Sequence, residues 1–158
     1  MSDKLLLTVI FAVVGTLIGM IINKSLLERK KYFEDVEHFL SEFISNLNFK
    51  RETIKVVFTN YLPSSEILKK QIKCHIDNNF QSLNFSSILL SKTEVKFTND
   101  IFSELGLHSI EVEKTFVNDC FEKIKTVREK VEIKYKKLGS ASIKLGFLCG
   151  LMLAVLFW

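Results

Sequence analysis

A chain of 158 residues with a net charge of +4 has room for one domain, and its 22 basic and 18 acidic side chains are too evenly mixed for a nucleic-acid surface. Fourteen phenylalanines beside only 6 glycines and 1 proline exclude most all-β architectures, which need far more turn chemistry. The positive mean hydropathy of +0.20 comes from the two ends, because residues 23–141 carry 20 Lys and Arg and 17 Asp and Glu.

Residues 5–22 form an uncharged run after a short start containing Lys4. A cleaved signal peptide would have a shorter apolar core and small-residue cleavage chemistry after it; here Asn23, Lys24, Ser25, Leu26, Leu27 and Glu28 follow. The run therefore predicts an uncleaved membrane anchor. Leu26, Phe33, Leu40 and Leu47 then recur every seven residues, with Val36 and Phe43 between them, as the stripe of a helix leaving that anchor. Phe39 and Ile44 widen the stripe beyond a two-stranded seam, so a compact bundle is expected over a coiled-coil dimer.

A second helix is predicted over 48–60, with Ile54, Val57, Phe58 and Tyr61 on one side, ended by Leu62 and Pro63. Ser64 or Ser65 caps a third helix bearing Ile67, Leu68, Ile72 and Ile76, and Asp77, Asn78 and Asn79 make a loop. Residues 80–90 read equally as a helical turn or an extended segment. Ser91 and Glu94 form a capping box for a helix through Phe97, Ile101, Phe102 and Leu105 that Gly106 ends. Ser109 caps the last helix, where Val112, Phe116, Val117, Cys120, Ile124, Val127, Val131 and Leu138 form one stripe.

The chain ends in an uncharged run from Leu145 to Trp158, preceded by Lys134, Lys136 and Lys137. Taken from Leu145 it reaches about 21 Å, short of the roughly 30 Å hydrocarbon core; taken from Leu138 it suffices, with Lys144 snorkelling to the headgroups. Both apolar runs hold glycines four apart, Gly15 with Gly19 and Gly146 with Gly150, the spacing that lets another helix backbone approach. Lys24, Arg29, Lys30 and Lys31 flank one run on the same side as Lys134, Lys136 and Lys137 flank the other. The positive-inside bias then puts the middle of the chain in the cytoplasm.

The expected fold is all-α: a bundle of five to six helices over 24–138, flanked by transmembrane helices at 1–23 and 139–158. Candidate membrane-helix packing residues are Gly15, Gly19, Gly146 and Gly150; candidate partner-binding residues are Lys134, Lys136 and Lys137, with the loops near Asp77 and Gly106. No catalytic chemistry is expected. His38, His75 and His108 stand apart, and adjacent Cys74 and His75 diverge on a helix, where metal pairs sit three or four apart. Cys74, Cys120 and Cys149 read as reduced thiols, and the acidic residues, Glu111 and Glu113 included, as solvated helix-face charges. Neither a cofactor nor a metal is called for.

The segment from Phe97 to Leu105 and Gly106 resembles the "F-x-x-x-LG" pattern of the stage III sporulation protein AB family. Lys134, Tyr135, Lys136 and Lys137, followed by Leu145, Gly146, Phe147, Leu148, Cys149, Gly150 and Leu151, are similar to that family's "K-Y-x-K" run and "LG-F/V-L-x-G-L" membrane helix. Arg29 is followed by Lys30 where the family has proline, so the chain is identified as a divergent member. The resemblance implies a mother-cell membrane protein of the channel apparatus between mother cell and forespore, with a helical domain similar to cytoplasmic domains of type II secretion and type IV pilus platform proteins. The partners it implies are the bilayer, other membrane proteins of the channel complex and a hexameric secretion-type ATPase. Two other classes compete: a membrane-anchored helical sensor, which needs a pocket of convergent polar groups, and a pore-forming hairpin, which needs a polar stripe along its helices.

Overall fold

The computed structural model describes residues 2–50, 53–80 and 85–156. Among them the chain forms five α-helices and no strand: α1 Ser2–Ser45, α2 Ile54–Asn60, α3 Glu66–Asp77, α4 Lys92–Glu104 and α5 Ile110–Leu156. The predicted helix over 48–60 divides. Asn46–Lys50 is a π turn closing α1, and α2 begins only at Ile54. The ambiguous stretch at 80–90 is irregular where described, while 81–84 and the closing Trp158 lie outside the described residues. Two compact units result: Met1–Leu27 with Lys130–Trp158, and Glu28–Glu129.

In the unit Glu28–Glu129 the α1 stripe becomes the core. Phe33, Val36, Phe39, Leu40 and Phe43 are buried, whereas Ile44 and Leu47 are half-covered; Leu26, also half-covered, falls in the other unit. Phe39 is the hub, with its ring centroid 4.8 Å from Phe58, 5.0 Å from Tyr61 and 5.5 Å from Phe102. Edge-on and tilted contacts of this kind add to the stabilisation from apolar area.

Local signals set the helix ends. Ser65, not Ser64, caps α3, accepting from Ile67 N, while Ser64 Oγ and Ser65 N both donate to Asp35 of α1. The Ser91–Glu94 capping box forms as predicted, and Glu94 also pairs with Arg29 of α1 at 2.5 Å. Burial acts to raise the Glu94 carboxyl, but hydrogen bonds from Ser91 and Arg29 outweigh it and hold the group below its ordinary range. The cap thereby doubles as a tertiary contact.

The end of α3 is a Schellman closure without glycine. Phe80 N donates to His75 O and Asn79 N to Ile76 O, with Asn79 and Phe80 both at positive φ (52° and 61°). The apolar contact that accompanies this motif is Phe80 on His75, centroids 5.2 Å apart, with Phe58 5.1 Å from the imidazole. His75 is buried in this ring cluster, and burial lowers its pKa, partly offset by a hydrogen bond to the Phe102 backbone. Charging it at low pH is unfavourable in the folded state. Stability is therefore full above the unfolded histidine value of about 6.5 and falls as pH drops through the lower folded value, by at most about 1.4 kcal/mol per pH unit. Urea melts between pH 7.5 and 5 should show that fall, and His75→Phe should flatten its histidine component; equal slopes for both proteins would contradict this reading.

One acidic residue departs from expectation. Glu113 is not a solvated dipole partner: it is 2% exposed and accepts from Gly106 N (2.7 Å) and His108 N (3.3 Å). Val112 points out instead, and Leu138 is also exposed, so the α5 stripe runs through Glu113, Val117, Cys120, Ile124 and Val131. Gly106 sits at φ +84, and a Cβ there would come within 2.5 Å of Ile54 Cδ1, so any other residue would strain the backbone and push the Ile54 side chain aside. Glu113→Ala should cost about 1–2 kcal/mol by removing the shared acceptor of two part-buried N–H groups, readable as a shifted denaturation midpoint, with Glu113→Gln less damaging.

Candidate functional site

The unit Met1–Leu27 with Lys130–Trp158 is built from the two apolar runs. Both α1 and α5 are long and apolar enough to cross a membrane. Their side chains face outward: Val9, Val13, Leu17 and Ile21 of α1, and Leu148, Met152 and Val155 of α5, are all exposed.

What the unit does bury is glycine. Gly15, Gly19 and Gly150 are buried, and Gly146 is half-covered between them. A Cβ built on Gly15 would collide with Gly146 O, one on Gly146 with Gly15 O, and one on Gly150 with Phe11 O. On Gly19 it would meet Ser142 O at 2.6 Å and Ile143 Cα at 2.8 Å. The two glycine pairs, expected to pack on each other or on partner membrane proteins, are thus one seam, with backbone against backbone. In place of each absent methyl a Cα hydrogen points at a carbonyl oxygen, the weak C–H···O contact that recurs at close helix crossings. The Ser142 hydroxyl, which the sequence reading missed, donates to Gly139 O (2.7 Å) and reaches Gly19 O across the seam (3.2 Å).

The contacts step evenly. Phe11 lies beside Gly150, Gly15 beside Gly146, Gly19 beside Ser142 and Asn23 beside Gly139, so the helices run antiparallel in one register. Ala154, four residues beyond Gly150, is buried and continues the row of small residues. This register answers the length problem of the last run. Residues 139–144 lie beside the apolar residues 17–22 of α1, so the last run extends back to Gly139, and the helix over 139–156 is about 27 Å long. That nearly matches a hydrocarbon core. Apolar grooves of about 410 and 350 Å³ line the seam, one along Val14, Ile18, Leu145 and Cys149, the other along Val13, Leu17 and Phe147.

The predicted basic cluster divides. Lys134, Lys136 and Lys137 are all exposed, but Lys136 is paired with Glu132 at 2.8 Å one turn back. Lys134 and Lys137 lie on a different side of the helix. The cluster is not a single patch.

In the unit Glu28–Glu129 the structure brings together polar groups that the sequence did not connect. Tyr32 OH donates to Gln71 Oε1 (2.7 Å), Gln71 Nε2 donates to Asn99 Oδ1 (3.0 Å), and Asn99 Nδ2 donates to Phe85 O (2.8 Å). Tyr32, Gln71 and adjacent Thr98 are fully buried, and burial pushes the Tyr32 phenol far above its usual range, keeping it a donor. The convergent polar cluster that a sensor would need is therefore present, but its members satisfy one another. An open groove of about 340 Å³ along Glu34, Glu37, His38, Ser41, Phe121 and Arg128 has its charges paired, Glu37 with Arg128 and Glu34 with Lys30. Burial also raises the Cys120 thiol to about 11, away from thiolate chemistry. Among the described residues no three His, Cys, Asp or Glu side chains are grouped to hold a metal ion.

The family model described as stage III sporulation protein AB matches residues 4–158. No curated protein and no solved structure matches the chain.

Proposed function

The chain belongs to the stage III sporulation protein AB family, a sporulation-related family, and from that premise we propose a structural rather than a catalytic role for it. In this reading the glycine-sealed pair of apolar helices sits in the mother-cell membrane as a hairpin. The unit Glu28–Glu129 lies in the cytoplasm and serves as a platform between a hexameric ATPase and the membrane proteins of a mother cell–forespore channel. The observation that carries the reading is the seam itself. Two helices that meet along a seam of backbone and small residues, with large apolar side chains outward, suit hydrocarbon surroundings and not water. The positive flanks at Lys24 and Lys137 support the cytoplasmic assignment.

The experiment is sidedness followed by capture. Lys70 is exposed on α3, so a Lys70→Cys chain lacking the three native cysteines can be treated with a membrane-impermeant thiol reagent in sporulating cells. Labelling only after lysis, together with ATPase retained on the purified protein, supports the platform. Labelling of intact cells removes it, and a cytoplasmic unit that retains no ATPase leaves a membrane scaffold with a different partner.

A further inference from the structure

The seam occupies one side of α5, through Gly139, Ser142, Gly146 and Gly150. On the other side Lys130, Lys134, Lys137 and Lys144 follow one another at spacings of four, three and seven residues. At 3.6 residues per turn they fall within about 40° of a single line, turned away from α1. All four are exposed, and none has an acidic partner among the described residues. Beyond Glu132, on another side of the helix, α5 contains no acidic residue.

The register gives each lysine a depth. Lys137 is level with Lys24, at the edge of the apolar run of α1, and Lys130 and Lys134 lie beyond that edge. Lys144 is level with Leu17, about 7 Å inside it, and is exposed with no ion pair or hydrogen bond among the described residues. An ammonium at that depth is retained only by reaching up to a phosphate or drawing one down. Ile133 and Leu145, both exposed beside the lysines, give acyl chains an apolar surface along the same side.

We propose that this side of α5 is a binding surface for anionic phospholipid headgroups, with Lys130, Lys134 and Lys137 at the headgroup plane and Lys144 drawing a phosphate below it. The proposal rests on the membrane reading above. It assigns the exposed lysines to lipid and not to a protein, because an acidic protein surface cannot follow the ladder to the depth of Lys144. Each lysine near an anionic surface contributes about a fivefold preference at low salt.

The test reconstitutes the full chain in phosphatidylcholine vesicles containing trace spin-labelled phosphatidylglycerol or spin-labelled phosphatidylcholine. The relative association of the two is read from the motionally restricted fraction. The wild-type chain should favour phosphatidylglycerol by about fivefold or more, with the preference collapsing in molar salt. The variant Lys130→Gln, Lys134→Gln, Lys137→Gln, Lys144→Gln should bring the ratio near one, and the matching four-arginine variant should restore it. Helicity by circular dichroism checks that both variants fold. A wild-type ratio near one, or a glutamine variant with an unchanged ratio, overturns the proposal while leaving the membrane reading intact. Loss of ATPase capture by the glutamine variant with the lipid ratio unchanged reassigns the lysines to a protein partner. Absence of any restricted component from either lipid overturns the ladder and the membrane reading together.

Discussion

Replacing Gly146 with leucine should separate the two apolar helices. The Cβ alone would overlap Gly15 O, and the obstacle is backbone, which cannot rotate aside as a side chain can. The helices must move from glycine-permitted approach toward the about 8–10 Å of ordinary side-chain packing, with loss of the C–H···O contacts on both sides. Overpacking of this kind costs about 1–3 kcal/mol, and neighbouring pairs separate with it because the seam is a single register. Spin labels at exposed Met20 and Leu138 should report a longer, broader distance distribution in bilayers. Gly150→Leu, against Phe11 O, should behave alike, whereas Leu148→Ala on the outward side should leave the distance unchanged. If Gly146→Leu preserves the wild-type distance, the seam is not what holds the helices.

The second large effect lies in the unit Glu28–Glu129. Gln71→Ala removes the acceptor of Tyr32 OH and the donor to Asn99 at a position with no exposure, and it leaves a void. Orphaned polar groups plus the cavity should cost about 3–4 kcal/mol. For a unit of this size that lowers the melting temperature by about 15 °C or more. The pair Tyr32→Phe with Gln71→Leu removes both partners and should be milder than the sum of its single changes, because no buried hydroxyl is left without an acceptor. Strict additivity in that cycle would show that the Tyr32–Gln71 bond carries no coupling.

Much of the fold was legible because its signals are local. The Ser91–Glu94 box, the stop at Gly106 and the stripe through Phe33, Phe39 and Phe43 each depend on residues within a turn or two. The features that needed the fold join distant positions. Nothing near Gln71 announces that Tyr32 is 39 residues away in sequence and Asn99 is 28. Glu113 suited a helix start electrostatically, and only the turn at Gly106 shows that its carboxylate closes the preceding corner. The glycine pairs were visible as packing sites, but whether they met each other or a partner's helix is a tertiary fact. The split of Lys136 from Lys134 and Lys137, by contrast, follows from helical spacing alone. Grouping the three by adjacency hid it.

The seam also sets an order of events during synthesis. The Gly19–Ser142 contact closes over 123 residues, so the helix bearing Gly15 and Gly19 is made long before its counterpart. At ribosomal rates of about 5–20 residues per second that wait lasts several seconds or more. Throughout it, the first helix presents an open glycine face that fits another helix of its own kind. A nascent chain arrested before Gly146 is therefore a candidate for self-pairing, and completion of the chain becomes the step that ends this competition.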